Sequence, residues 1–366
     1  MIKEEYIKSL HRPFNTRLKT VKWVCDFTHE YQGQQFRIDF FIYVIELLHK
    51  VYKEKESIYG LPQKDTVNTL FKFLNEEENY YEKLLEFTVD KKNITPLDKQ
   101  IYSNLKAVSY YTNLAKNLGF LNSNDLTAEG KELISLFNSK KSLVSLTNKE
   151  QDIFIQQLLK CDFVPFIFTI FYTYFEEKYP LKNSEKEVFD EKFLKELDIY
   201  LGKRDFKLKR ASWRNYIIVR QTWIKDLELI QSNNVIKSKL KKTINSNIKQ
   251  KKEYDIIQAK MLEFEKIFFK KLEKFRKFKQ DLYSSYITIK KNNIFENVGY
   301  INLYDIKKEM NISTKDLEVF LEMLHDEKIN RTKVFFNNII AAIDNRKRFV
   351  IKKTQILNIK IIGKLV

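Results

Sequence analysis

Apolar positions recur at helical spacing along most of the chain. Val21, Val24 and Phe27 mark a helix within 14–31, and Phe40, Val44, Leu47, Leu48 and Val51 mark a second within 37–55. Gly33 separates them, and the break Tyr59-Gly60-Leu61-Pro62 precedes helices expected at 66–76 and 78–90. Pro96 opens the next stretch. Residues 97–118 read as helix, turn, helix, with Gly119 as the C-cap glycine. A short hairpin follows, then a helix capped by Thr127 with Gly130 in its first turn. A helix, then L-G-F-L, a hairpin and L-T-x-x-G-K-x-L is the sequence form of a winged helix. It places Lys106, Ser109, Tyr110, Asn113 and Lys116 on a recognition helix.

Beyond this unit, 149–178 is expected to be helical, with a very apolar stretch interrupted by Pro165 and ended by Pro180. Residues 184–201 form an amphipathic helix with Phe189, Phe193, Leu194 and Leu197 on one face. Residues 209–231 read as a further helix-turn-helix-like stretch, in which Trp213, Ile217 and Trp223 suit a core equally well. A long basic helix or helix pair is expected from 235 to 282, its apolar side built by Leu262, Phe264, Phe268, Phe269, Leu272, Phe275 and Phe278. Residues 299–353 repeat the winged-helix pattern. A strand, a helix and a second helix capped by Ser313 or Thr314 lead into two strands, 333–343 and 348–353, joined through Asp344-Asn345-Arg346-Lys347. Arg346, Lys347 and Arg348 make a basic tip that suits a phosphate backbone or simply a soluble turn. The second helix of this unit carries Asp316, Glu318, Glu322, Asp326 and Glu327, which fits a structural or protein-contacting role better than a DNA groove. The expected fold is mainly α and multi-domain, with two or three winged-helix units and a long basic helical segment. The expected domains are 1–145, 146–235, 236–290 and 291–366.

Composition narrows the chemistry. Only 7 glycines and 5 prolines occur in 366 residues, which favours helices and leaves no Gly-rich phosphate loop or nucleophile elbow. Cys25 and Cys161 sit in apolar surroundings and read as reduced, buried thiols. The four histidines form no metal cluster. The longest apolar run, 163–175, is too short to span a bilayer and the N-terminus lacks a signal pattern, so a cytoplasmic protein with no membrane partner is expected. The formal net charge is +18, and 201–290 hold 24 Lys and Arg against 9 Asp and Glu. That concentration suits a polyanion binder; a solvated lysine-rich helix is the plainer reading. Within it, Lys203, Arg204, Lys207, Lys209, Arg210 and Arg214 lie among Trp and Asn, a mixture that contacts both phosphates and base edges. A metal-dependent nuclease would need a carboxylate followed by [DE]-x-K. Asp198 with Asp205-Phe206-Lys207, or Glu176-Glu177-Lys178, would fill it and bind Mg2+. So many acids and lysines produce such triplets by chance, so neither a catalytic residue nor a cofactor is assigned.

Three stretches together resemble the N-terminal DNA-recognition region of the AlwI-type (type IIS) restriction endonucleases and related nicking enzymes. They are HRPFNTRLKTV at 11–21, NLGFLNSNDLTAEGKELISLF at 117–137 and EQDIFIQQLLKCDF at 150–163. The resemblance implies binding to an asymmetric duplex site through Arg12, Asn15, Arg17 and Lys19 and through the helix over 106–116. In that family a nuclease domain follows, and here the likeness fades after about residue 200. The expectation is therefore a double-stranded-DNA recognition subunit of a restriction or anti-phage system, acting with a separate nuclease or ATPase. The alternatives are a diverged nuclease, a winged-helix protein scaffold and a plasmid replication initiator.

Overall fold

The computed structural model describes residues 7, 10, 12, 14–58, 60–89, 95–136, 145–202, 210–230, 238–292, 299–327, 330, 332–337 and 349–365. Of these, 88–89, 202, 210–214 and 238–239 are described by backbone alone. The protein is mainly α-helical with a few short strands. It divides into two compact units where four domains were expected. The first comprises Met1–Tyr179 with Lys195–Gln258, and the second Pro180–Leu194 with Ala259–Val366.

The first unit contains α1 (Lys19–Glu30), α2 (Phe36–Tyr52), α3 (Lys64–Glu76), α4 (Tyr80–Val89), α5 (Pro96–Asn117), β1 (Leu121–Asn122), β2 (Asp125–Leu126), α6 (Ala128–Ser135), α7 (Asn148–Cys161) and α8 (Phe163–Lys178). It also holds the end of α9 (Asn183–Gly202), α10 (Arg210–Asp226), α11 (Ser238–Asn245) and the start of α12 (Ile248–Asn292). The expected turn within 97–118 is absent. Helix α5 runs unbroken for 22 residues because its apolar positions Ile101, Leu105, Val108, Tyr111, Leu114 and Ala115 share one buried face. Asn104, a residue type that favours turns, here bonds the Gln100 carbonyl one helical turn back. Thr95 and Asp98 close the start of α5 in a capping box, and Thr147 and Glu150 do the same for α7. Pro165 does not interrupt the apolar stretch. It sits in the first turn of α8, where no intrahelical N–H is needed, and the chain bends instead at Asp162, by 115° between α7 and α8. No single described helix is long and apolar enough to cross a membrane, and nearly all of α8 is buried.

The second unit contains the start of α9, the rest of α12, β3 (Ile301–Asn302), α13 (Leu303–Glu309), α14 (Thr314–Asp326), β4 (Val334–Asn337), β5 (Phe349–Ile351), β6 (Thr354–Ile356) and β7 (Asn358–Ile361). Phe189 and Phe193 of α9 pack on Phe264, Phe268 and Phe269 of α12 at ring-centroid distances of 5.6–6.0 Å. Further along α12, Phe275, Phe278, Leu282 and Tyr286 join Leu317, Leu321, Ile359 and Ile361 in one core. Lys279 and Glu327 form a buried pair at 3.0 Å beneath it, which leaves the Lys279 ammonium 4.9 Å from the centre of the Phe275 ring.

Strand β4 pairs with β7, giving the antiparallel order β3-β7-β4, while 338–348, which hold most of the expected hairpin of 333–343 with 348–353, lie outside the described residues. Strand β5 turns back immediately on β6. A Lys352-Lys353 turn permits this, with φ of 49° and 68°. Asn or Gly usually occupies such positions. Lys353→Gly is therefore expected to raise stability by about 1 kcal/mol, read as a higher thermal midpoint; an unchanged or lowered midpoint would show the turn to be unstrained.

Candidate nucleic-acid interface

The buried face of α5 leaves an opposite stripe. Lys99, Ser103, Lys106, Asn113 and Asn117 are exposed and Tyr110 is half-buried, all at intervals of three or four residues. The stripe extends about 27 Å along the helix. Lys116 flanks it and donates to Asn124 Oδ1 at 3.4 Å, which ties the helix to the tip of the β1–β2 hairpin. Asn122, Ser123, Asn124 and Asp125 at that tip are all exposed.

The join between helix and hairpin is closely packed. Gly119 takes φ +78° at the C-terminus of α5, as a left-handed cap. The Thr127 hydroxyl donates to the Gly119 carbonyl at 2.8 Å and accepts from Gly130 N–H at 3.1 Å. A Cβ on Gly130 would collide with the Phe120 carbonyl oxygen. The stripe thus offers ammonium groups for phosphates, with amide and hydroxyl groups for base edges, on one rigid helix.

Three other expected contacts face inward. Asn15 is buried; its side-chain amide donates to the Tyr110 carbonyl at 3.0 Å, and its own carbonyl accepts from the Trp223 indole at 2.8 Å. Arg17 pairs with Asp226 at 2.6 Å. Lys19 is buried, and desolvation lowers its ammonium to about 8 against the pull of Asp226. These residues join the N-terminal segment to α10, so the sequence assignment of Asn15, Arg17 and Lys19 as DNA contacts is corrected. The reason is their setting between Phe14, which stacks on Tyr110 at 5.3 Å, and the buried run Leu18–Cys25. Arg12 is half-buried. Lys203, Arg204, Lys207 and Lys209 lie outside the described residues, as do Arg346, Lys347 and Arg348. Arg210 and Arg214 stand in α10, and their side chains are likewise outside the description.

The buried charges of the first unit are structural. Arg220 holds Asp162 through two hydrogen bonds of 2.6 Å, and both side chains are fully buried. Arg220 also reaches the Tyr216 carbonyl at 2.7 Å and the Ile7 carbonyl at 3.3 Å, while Ile7 N–H donates to Asp162 at 2.9 Å. Lys22 pairs with Glu150 at 2.6 Å in the same buried condition. Sequence reading missed both pairs; Asp162 is the next-to-last residue of the very run used for the family resemblance, and a charge there between apolar helices is the signal that points to it.

In the second unit, the acidic face of α14 is occupied. Glu318 accepts Val350 N–H at 2.9 Å, Glu322 accepts Lys352 N–H at 3.0 Å, and Asp326 pairs with the Lys352 ammonium. These carboxylates set the position of the β5–β6 hairpin, whose Phe349, Ile351 and Ile356 are buried. A helix covered in this way does not present that face to a groove.

No group of three or more His, Cys, Asp or Glu suited to a metal occurs among the described residues. Glu176 accepts from Gln221 at 2.6 Å, and Asp205 and Lys207 lie outside the description. Burial pushes the Cys25 thiol far above its ordinary range, so it is not a thiolate nucleophile. No protein-family model, curated protein or solved structure matches this chain.

Proposed function

We propose that the protein is a duplex-DNA-binding recognition subunit of a cytoplasmic restriction or anti-phage system, acting with a separate nuclease or ATPase. The observation that carries this reading is the α5 stripe, with Lys99, Lys106 and Lys116 set among Ser103, Tyr110 and Asn113. A cation on one turn and an amide two turns later is the pairing needed to clamp a backbone and read a base edge at once. The basic balance of 201–290 supports it, because exposed Lys241, Lys242, Lys249, Lys251 and Lys252 add sequence-independent, salt-dependent affinity. The order β3-β7-β4 supports the winged-helix reading of the second unit, with α13 and α14 placed before the last two strands of the sheet. The closed face of α14 in that unit supports a reading in which α5 of the first unit enters the groove instead.

The test is binding of the purified chain to a random-sequence duplex pool across a salt series. Steep salt dependence with an enriched motif is expected. Lys106→Ala should weaken all duplexes alike and lower the salt slope by about one. Asn113→Ala should cost about 1–3 kcal/mol and relax preference at a single base pair. Binding that is indifferent to both substitutions would remove α5 as the reading helix.

A further inference from the structure

The outer face of the β3-β7-β4 sheet carries a pattern that the duplex reading does not use. Its inward residues Ile301, Val334, Phe336, Ile359 and Ile361 belong to or pack on the core, so alternate residues face away. Register pairs Asn302 with Asn358 and Asn358 with Asn337, a row of three asparagines across three strands. The adjacent row pairs Phe335 with Lys360, and the Lys360 ammonium lies 5.6 Å from the centre of the Tyr300 ring on the other side. The face is thus built as aromatic, cation, aromatic beside amide, amide, amide, with the rows about 7 Å apart.

Phe335 is 39% exposed, and Tyr300, Lys360, Asn337 and Asn358 are half-buried. No acidic residue occurs in these three strands. Further lysines border them: the Lys290 ammonium comes within 3.9 Å of the point a Cβ on Gly299 would occupy, and Lys333 bonds the Lys364 carbonyl at 3.0 Å. Tyr300 and Phe335 also line a cleft of about 320 Å³ with Phe336, Leu324 and His325. Asn302 Oδ1 is committed to capping α13 through Tyr304 N–H at 2.8 Å, which leaves its amide N–H2 as a donor.

From this arrangement we infer that the sheet face binds single-stranded DNA. Two rings flanking a cation provide stacking surfaces for unpaired bases with a phosphate partner between them, and the asparagine row supplies donors and acceptors for exposed base edges. A closed duplex keeps its base faces stacked inside and offers nothing to the two rings. The surface is separate from the α5 stripe, so this inference stands or falls independently of the duplex reading.

The experiment measures anisotropy of a labelled oligothymidylate, an oligouridylate and a duplex with the full chain, comparing wild type with a Tyr300→Leu/Phe335→Leu double variant and with Lys360→Gln. The double variant is expected to bind oligothymidylate at least ~10-fold more weakly, with duplex affinity unchanged. Lys360→Gln should lower the salt slope for the single strand by about one. Thermal midpoints report folding, and should the double variant lose its transition, Lys360→Gln decides the matter. Undiminished oligothymidylate binding in the folded variants would overturn the inference. So would binding of oligouridylate alone, or of neither single strand. Lys106→Ala serves as the cross-check: it should weaken the duplex and spare the single strand, and if it weakens neither, the duplex reading fails while the sheet face remains.

Discussion

Arg220→Met is expected to lower the stability of the protein by about 3–5 kcal/mol, read in urea unfolding, because it strands the Asp162 carboxylate in a fully buried site. Burial pushes that carboxyl upward, and the Arg220 guanidinium, together with the Ile7 N–H, opposes it. Methionine fills similar volume but restores neither 2.6 Å bond. The loss should also release the N-terminus, since Ile7 is fastened at both its N–H and its carbonyl to this pair. Limited proteolysis near residue 7 should therefore accelerate in the variant. Replacing both partners, Asp162→Leu with Arg220→Met, is expected to be milder than the single change, because no uncompensated charge remains. A single variant as stable as wild type, with no gain in N-terminal cleavage, would show that the pair is incidental to the fold.

Gly130→Ala is the second large effect, and its sign runs against the usual rule. Alanine in place of glycine within a helix ordinarily adds about 1 kcal/mol. Here the new Cβ meets the Phe120 carbonyl oxygen, with Leu126 Cδ2 3.0 Å away on the other side. That carbonyl also accepts Thr127 N–H at 3.1 Å, so it cannot swing away without undoing the cap of α6. A cost of about 2–3 kcal/mol is expected, seen as a lower thermal midpoint. Because the same packing ties the hairpin to α5, duplex affinity should fall as well. Ser135→Ala, on the exposed side of α6, is the control and should stay within about 0.5 kcal/mol of wild type. A stabilised Gly130→Ala protein would mean that α6 is free to move from the hairpin.

Local signals were readable where they act over a few residues. Gly119 as a left-handed cap, the 121–126 hairpin, Thr127 and Ser313 as N-caps and the helical apolar stripes all correspond to what the chain does. Each depends on backbone geometry within one or two turns, which is why residue type suffices. The exposed stripe on α5 was legible in the same way, through Lys106, Asn113 and Lys116, once the apolar side of the helix was known. Lys99, Ser103 and Asn117 became part of it only because the expected turn does not exist and the helix carries the stripe further.

What the sequence by itself determined is the mainly helical character, most helix positions and the uneven charge; these follow from periodicity, scarce glycine and counted side chains. Partner choice over long separations was decided by tertiary structure alone. Arg17 finds Asp226, Arg220 finds Asp162, and β4 pairs with β7 across the β5–β6 hairpin, each over a separation that no local pattern encodes. A basic side chain reads the same in sequence whether it faces solvent or a buried carboxylate. Only the packing around Asn15, Arg17 and Lys19 shows that they face inward, and only strand register sets Tyr300, Lys360 and Phe335 in one row.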